Sequence, residues 1–212
     1  MELNKIVTGD GSVTFYNTQY GEAYHSMSGA EEEAVKKYAE VCREKLEKNV
    51  RVLDVCFGLG YNTAAALDVA EGTMEIVGLE NDEQILQTIP TLTPKFARYP
   101  LVQACVQKKG FSITEKNISL KIILGDARKT ITRLVPLSFD VVFFDPFSPK
   151  KCPELWTEEF FRAVAGVMKK GAMLTTYSCA TEVRQNMKKA GFVIKDGPSV
   201  GRKAPSTIAI KA

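Results

Sequence analysis

Val50-Arg51-Val52-Leu53-Asp54-Val55-Cys56-Phe57-Gly58-Leu59-Gly60-Tyr61-Asn62 runs apolar, turns on two spaced glycines and opens into an Ala-rich segment from about Thr63. Strand, glycine turn and helix in that order make a nucleotide cradle, because Gly58 and Gly60 permit positive φ and let backbone N–H groups approach a ligand with no Cβ in the way. Two glycines fall short of the full dinucleotide fingerprint, so the turn alone is a weak signal. Its surroundings strengthen it. Asp54 precedes the glycines, and Glu80 ends the next apolar run, Met74 to Leu79. A carboxylate at that second strand end accepts hydrogen bonds from ribose hydroxyls. Glu80 also adjoins the Asn81-Asp82-Glu83 turn, where it would serve equally well beside a helix cap.

Two further strand ends carry acids. Leu120 to Leu124 leads into Gly125-Asp126-Ala127, and Asp126 is placed to accept from an adenine amino group. Val141 to Phe144 is wholly apolar, as a strand buried on both faces must be, and ends in Asp145-Pro146-Phe147-Ser148-Pro149. Pro146 and Pro149 fix φ and lack N–H donors, so the chain leaves the sheet there as a stiff loop. Beyond it come a helix (about 157–168), a strand (172–177), a helix (181–190) and two closing strands (192–194 and 207–211). Alternating strands and helices predict an α/β, doubly wound, mostly parallel sheet, with Asp54, Glu80, Asp126 and Asp145 facing one crevice at the carboxyl strand ends.

The pattern resembles the class I S-adenosylmethionine-dependent methyltransferases, which implies a Rossmann-like, seven-stranded sheet with one antiparallel strand. The motifs narrow it. Phe144-Asp145-Pro146-Phe147-Ser148-Pro149 with Cys152-Pro153-Glu154-Leu155-Trp156, Gly201-Arg202-Lys203, and Tyr20-Gly21-Glu22-Ala23-Tyr24-His25-Ser26 together resemble the MnmC family of tRNA methyltransferases over about residues 11–212. The resemblance implies methylation of the 5-aminomethyl group on a tRNA wobble uridine, giving 5-methylaminomethyluridine, with S-adenosyl-L-methionine as cofactor. Asp54, Phe57, Gly58, Gly60 and Asn62 would hold the methionine part, Glu80 the ribose, Asp126 and Ala127 the adenine. Asp145 would stand between cofactor and acceptor, with Pro146 beside it as the second catalytic position. Departures are visible as well. No second glycine-rich fingerprint follows, so a fused flavin oxidoreductase domain is not expected, and Pro146 stands where the motif commonly has a small residue.

Composition excludes more than it selects. At 212 residues with 45% hydrophobic and 25% charged residues, the chain is an ordinary globular one, and no apolar run approaches the roughly 20 residues of a membrane span. The N-terminus lacks a signal peptide's apolar stretch, and the five scattered cysteines lack metal-site spacing, so a cytoplasmic protein with free thiols and no metal is expected. Cys56 reads as a small buried hydrophobe. A net charge of +3 does not by itself mark a nucleic-acid binder. Most lysine doublets read as solvated helix ends, but Lys150-Lys151 and Arg202-Lys203 fall on loops around the Asp145 crevice, suited to phosphate contacts with a tRNA anticodon loop. Phe147, Tyr24 or Tyr177 could stack on a splayed base, Tyr177 reading first as core, and Ser148 lies in the same loop.

Residues 1–48 predict an extension to the methyltransferase domain of residues 49–212. It holds a hairpin (6–8 and 13–16) and a helix with a capping box at Ser28-Gly29-Ala30-Glu31 and an apolar stripe of Ala34, Val35, Tyr38, Val41, Cys42 and Leu46. His25, the one histidine, is expected to make a structural hydrogen bond, while the resemblance puts it near the acceptor. Residues 90–117 read as a long irregular insertion, a lid or RNA-facing loop. Two other functions use the same pattern: a polyamine synthase or small-amine methyltransferase, and a non-catalytic cofactor- or RNA-binding subunit. Arg202-Lys203 and the continuation to Trp156 argue against the first, the intact strand-end acids against the second.

Overall fold

The computed structural model describes residues 2–201 and 203–212; Arg202, expected at the substrate rim, lies outside the described residues. The chain begins with β1 (Leu3–Val7) and β2 (Val13–Asn17), paired antiparallel, and a two-residue β3 (Glu22–Ala23) added to β2. The expected hairpin is present with longer strands and this extra short one. A helical run follows as α1 (Ala30–Glu33), a π-helical stretch Ala34–Ala39, a 3-10 turn Glu40–Cys42 and α2 (Arg43–Leu46). Ala34, Tyr38, Cys42 and Leu46 of its stripe are fully buried, and Tyr38 meets Phe143 edge-on at 5.8 Å.

The capping box is not formed. Gly29 is the N-cap and no side chain of its own segment caps the helix. The first-turn donors are met from the hairpin turn instead. Ser12 Oγ accepts from the N–H of Ala30 at 3.0 Å and of Glu31 at 3.3 Å, and Asp10 Oδ2 accepts from that of Glu32 at 3.1 Å. A Cβ at Gly29 would lie 2.6 Å from Asp10, so close approach of the turn, and not a local capping residue, decides how this helix starts.

The remaining elements are β4 (Val50–Val55), α3 (Tyr61–Val69), β5 (Met74–Glu80), α4 (Glu83–Thr88), α5 (Tyr99–Gln107), β6 (Ser112–Glu115), β7 (Ile118–Leu124), α6 (Ala127–Thr130), β8 (Phe139–Phe144), α7 (Glu158–Val167), β9 (Met168–Thr176), α8 (Thr181–Lys189), β10 (Phe192–Asp196) and β11 (Thr207–Lys211). They form one sheet in the order β10-β11-β9-β8-β4-β5-β7-β6. β4, β5, β7, β8 and β9 are parallel, while β11 and β6 run against their neighbours. Among the described residues the sheet thus has eight strands, the eighth being β6 on the outer edge of β7. Its sequence, Ser-Ile-Thr-Glu, has a single apolar residue because only one face of an edge strand packs.

Strand order reverses at β4, with β5 on one side and β8 on the other, so the loops after β4 and β8 flank the switch point where ligands bind in open α/β sheets. Apolar residues on both faces hold the strands in place. The N-terminal helical run, α3 and α5 cover one face; α6, α7 and α8 cover the other. The 90–117 segment is not irregular. It carries α5 and β6, and Tyr99, Val102 and Cys105 are buried in the core. Its prolines have the look of breakers, but Pro100 stands in the first turn of α5, where a missing N–H costs nothing.

Candidate active site

The glycine loop is shaped by the strands beneath it. Leu79 O of β5 accepts from both Cys56 N–H and Phe57 N–H at 3.0 Å, pulling the chain out of β4 into a tight turn. Cys56 takes φ 65°, and Gly58 and Gly60 take 55° and 72°. A left-handed non-glycine residue costs roughly 1–2 kcal/mol, and such strain gathers at functional sites. Cys56 is therefore not simply a small core residue; it is half-buried and lines the crevice. Gly60 has a packing role. A Cβ there would lie within 2.8 Å of Phe57 and Val102, beneath the loop.

Asp54 does not reach the crevice either. It is fully buried, accepts from Thr63 Oγ1 at 2.7 Å, and burial holds its carboxyl well above the usual range. Phe57 lies under the loop against Gly78, where a Cβ would come 2.5 Å from the ring. Its ring is 3% exposed, yet it borders the crevice.

Glu80 forms the crevice midpoint. Its Oε2 accepts from Gly58 N–H at 2.7 Å, and its Oε1 from Asn81 N–H at 2.8 Å and Asp82 N–H at 2.9 Å. Burial raises its carboxyl to about 7 against those three bonds. From Glu80 a trench runs one way to Gly58, Tyr24 and Asp145, and the other way to Gly125, Asp126 and Ala127. Asp126 is the N-cap of α6 and is gripped by Arg128, with Nη2 to Oδ2 at 2.6 Å, which holds its carboxyl below the ordinary value.

Asp145 lines both the near end of this trench and a second cavity of about 300 Å³. Tyr38 donates to its Oδ1 at 2.6 Å and Asn62 to its Oδ2 at 2.9 Å. Burial, reinforced by nearby Glu33, raises the Asp145 carboxyl well above the usual range despite those donors. Asn62, expected on the cofactor, is thus a buried support for Asp145. The second cavity is walled by Tyr24, His25, Phe147 and Tyr177, with a buried Glu33–Lys37 pair at 2.5 Å on one side and Gly201 closing another.

These walls are held from outside the sheet. Tyr24 donates to Asp82 at 2.5 Å, and Phe147 stacks on Tyr20 at 4.5 Å between ring centres. His25 Nδ1 bonds Thr14 Oγ1 at 3.0 Å and its ring lies 5.0 Å from Tyr61; burial lowers it to about 4, so it is neutral at physiological pH. The expected structural bond is present, and the ring also lines the cavity. Tyr177, expected in the core, lines the cavity and donates to Pro146 O at 3.1 Å. Ser148 turns away, its hydroxyl donating to Glu22 at 2.6 Å, which ties the loop to β3. Lys150, Lys151 and Lys203 are exposed and do not line the cavity; they follow in sequence the Asp145 motif and Gly201.

Sequence alone does not single out Tyr38, Glu33 or Lys37, and it gives Tyr20 and Glu22 no role beyond their place in the N-terminal motif. Tyr38 sits at a stripe position, where a phenol is indistinguishable from a core ring. Glu33 and Lys37, four apart, have the spacing of an ordinary solvated ion pair.

A family model described as S-adenosyl-L-methionine-dependent methyltransferase matches residues 90–212. An uncharacterised protein of Methanocaldococcus jannaschii, MJ0670, is 34% identical over 211 residues, covering 97% of this chain and 59% of that protein. The bifunctional MnmC protein of tRNA 5-methylaminomethyl-2-thiouridine biosynthesis from Cupriavidus necator is 25% identical, covering 92% of this chain and 32% of its own length. The crystal structure of MnmC2 from Aquifex aeolicus superposes with a TM-score of 0.83 at 32% identity, over 98% of this chain and 70% of that one. The chain therefore spans less than two thirds of the length of these two curated relatives.

Proposed function

Since this chain belongs to the S-adenosyl-L-methionine-dependent methyltransferases, in the family that includes MnmC2, we propose that it methylates the 5-aminomethyl nitrogen of a tRNA wobble uridine. The observation that carries this reading is the position of Asp145, on the shared wall of the trench along Glu80 and a separate aromatic cavity. The names of the MnmC relatives supply the tRNA.

The trench fits the cofactor. A carboxylate offers about four lone-pair sites; Glu80 uses three on backbone N–H groups and keeps one on Oε2 for a ribose hydroxyl. Gly58 leaves the wall open where a Cβ would sit 3.4 Å from Tyr24. Ala127 and Asp126 border the adenine end, where an adenine amino group would share Asp126 with Arg128. When bound, S-adenosylmethionine supplies an electrophilic methyl group, which the acceptor nitrogen takes as the carbon–sulfur bond breaks and the thioether departs.

The chain's own residues manage the nitrogen. An amine like that of lysine, with pKa ~10.4, is only about 0.04% neutral at pH 7, and bringing that value down to about 8 is worth roughly 3 kcal/mol. Desolvation between Tyr24, Phe147 and Tyr177 works in that direction. Asp145, with each oxygen already accepting one bond, has lone pairs left to orient the amine. It then takes the proton released when the new N–C bond turns the amine into a secondary ammonium. The Pro146 carbonyl, holding one bond from Tyr177, can fix a second amine hydrogen. Lys150, Lys151 and Lys203 would meet phosphates of the anticodon loop.

The test is incubation with methyl-labelled cofactor and three acceptors: tRNA bearing 5-aminomethyluridine, the same tRNA without it, and putrescine. Label only in the first supports the reading, and mass analysis should find 5-methylaminomethyluridine. Label in putrescine alone would assign the cavity to small amines.

A further inference from the structure

The cavity beside Asp145 contains a charge pair that the transfer step leaves idle. Glu33 and Lys37 are 7% and 3% exposed, and Lys37 Nζ lies 2.5 Å from Glu33 Oε1 while Ser26 N–H donates to Oε2 at 2.9 Å. Burying an ion pair is seldom favourable for stability alone, since desolvation offsets most of the attraction. The placement is specific. Both side chains line the same cavity as Asp145, and Tyr38, next to Lys37 in the π-helical stretch, donates directly to Asp145. π-helical turns inside helices concentrate at functional sites.

We propose that the Glu33–Lys37 pair is a positioning pair for methyl transfer, acting through Asp145 by setting how tightly that carboxylate holds the proton given up by the acceptor amine. This rests on the amine methyltransferase reading above. Glu33 repels a charged Asp145 and so favours its protonated form; Lys37 opposes that. The other groups facing Asp145 do not adjust it in the same way. Tyr38 donates a hydrogen bond and burial favours its neutral form, and burial, the first cause in each, likewise favours the protonated, uncharged forms of Asp54 and Cys56 on the β4 side. His25 across the cavity is neutral, Tyr177 is bound to Pro146, and Glu80 lies farther along the trench. Among the described residues, Glu33 and Lys37 are therefore the charges that set the balance.

The experiment uses the full chain without cofactor, labelled with ¹³C at aspartate carboxyls, the Asp145 signal being identified by its loss in Asp145→Asn. Glu33→Gln should lower the Asp145 titration midpoint by about one pH unit or more, Lys37→Gln should raise it by a similar amount, and the double variant E33Q/K37Q should return near wild type. The acid limb of kcat/KM against pH should move the same way in each, because the free acceptor's own ionisation is common to all of them. A pair with only a structural role would lower melting temperatures and leave every midpoint where it was; that result overturns the proposal. The double variant, which leaves no unpaired charge buried at that place, provides the folded comparison if a single variant melts too early. Shifted midpoints with no tRNA methylation would uphold the coupling and reject the assigned acceptor, whereas methylation with fixed midpoints would do the reverse.

Discussion

Asp145 and Glu80 are both strand-end carboxylates under the same crevice, but their surroundings give them different work. Asp145 accepts from two side chains, Tyr38 and Asn62, and keeps lone pairs toward the aromatic cavity. Asp145→Asn retains the shape and removes the charge. Methyl transfer is therefore expected to fall by roughly 10² or more, with cofactor affinity within a few-fold of wild type by calorimetry. Unchanged transfer at neutral pH would remove Asp145 from the chemistry. Glu80 accepts from three backbone N–H groups and is 5% exposed. Its folded value, about 7, lies above the ordinary 4.5, so the folded state binds this proton more tightly than the unfolded one. That contribution to stability is full below about 4.5 and is lost as pH rises towards 7. In cofactor-free protein, the melting temperature of wild type relative to Glu80→Gln should thus decline across this interval and level off above it. A difference that stays flat with pH would show that Glu80 is not held protonated. In Glu80→Gln one amide N–H must also face a backbone donor, so cofactor binding should weaken by about 1–3 kcal/mol.

At the scale of elements, the N-terminal helical run joins the hairpin to the active site. Asp10 and Ser12 supply its cap from 18 to 22 residues away, and Tyr38, Glu33 and Lys37 reach the Asp145 end from its other side. Asp10→Ala removes acceptors for Glu32 N–H, Ser12 N–H and the Thr8 hydroxyl. A loss of about 1–2 kcal/mol in stability is expected by denaturant unfolding, with a loosened cavity wall and a raised KM for tRNA. This element also marks where the sequence stops being readable. β4, β5 and β8 are legible because strands buried on both faces must be apolar throughout, and the acids at their ends stand out against such runs. Asp10 as a cap is not legible, because its partner helix is distant in sequence and Ser28 offers a closer, wrong candidate. Tyr38 passes for core because its ring is core; only its hydroxyl belongs to the site. α5 is hidden by Pro94 and Pro100, which read as breakers although the second one starts the helix.

On the scale of the whole molecule, the switch point between β4 and β8 brings the trench and the cavity to one edge of the sheet, and any large substrate must approach along that edge. Lys150 and Lys151 follow the Asp145 loop and Lys203 follows Gly201, so exposed cations lie on two of the loops that border the cavity mouth. With a net charge of only +3, the chain as a whole attracts nucleic acid weakly, and the local placement of these lysines must supply the phosphate contacts. Replacing Lys150, Lys151 and Lys203 together by Gln should weaken tRNA binding and make its salt dependence shallower. The logarithmic slope should drop by up to about 0.9 for each phosphate left without its cation on duplex-like stretches, and by about 0.7 on single-stranded ones. Cofactor affinity should not change, because none of the three side chains lines the trench. Nor should kcat at saturating tRNA, since none of the three lines the cavity beside Asp145. Binding measured at several salt concentrations, with calorimetry of the cofactor alongside, separates this from a general loss of folding. An unchanged salt slope would mean that tRNA reaches Asp145 across another face, and that the loops around the cavity shape the pocket without gripping the nucleic acid.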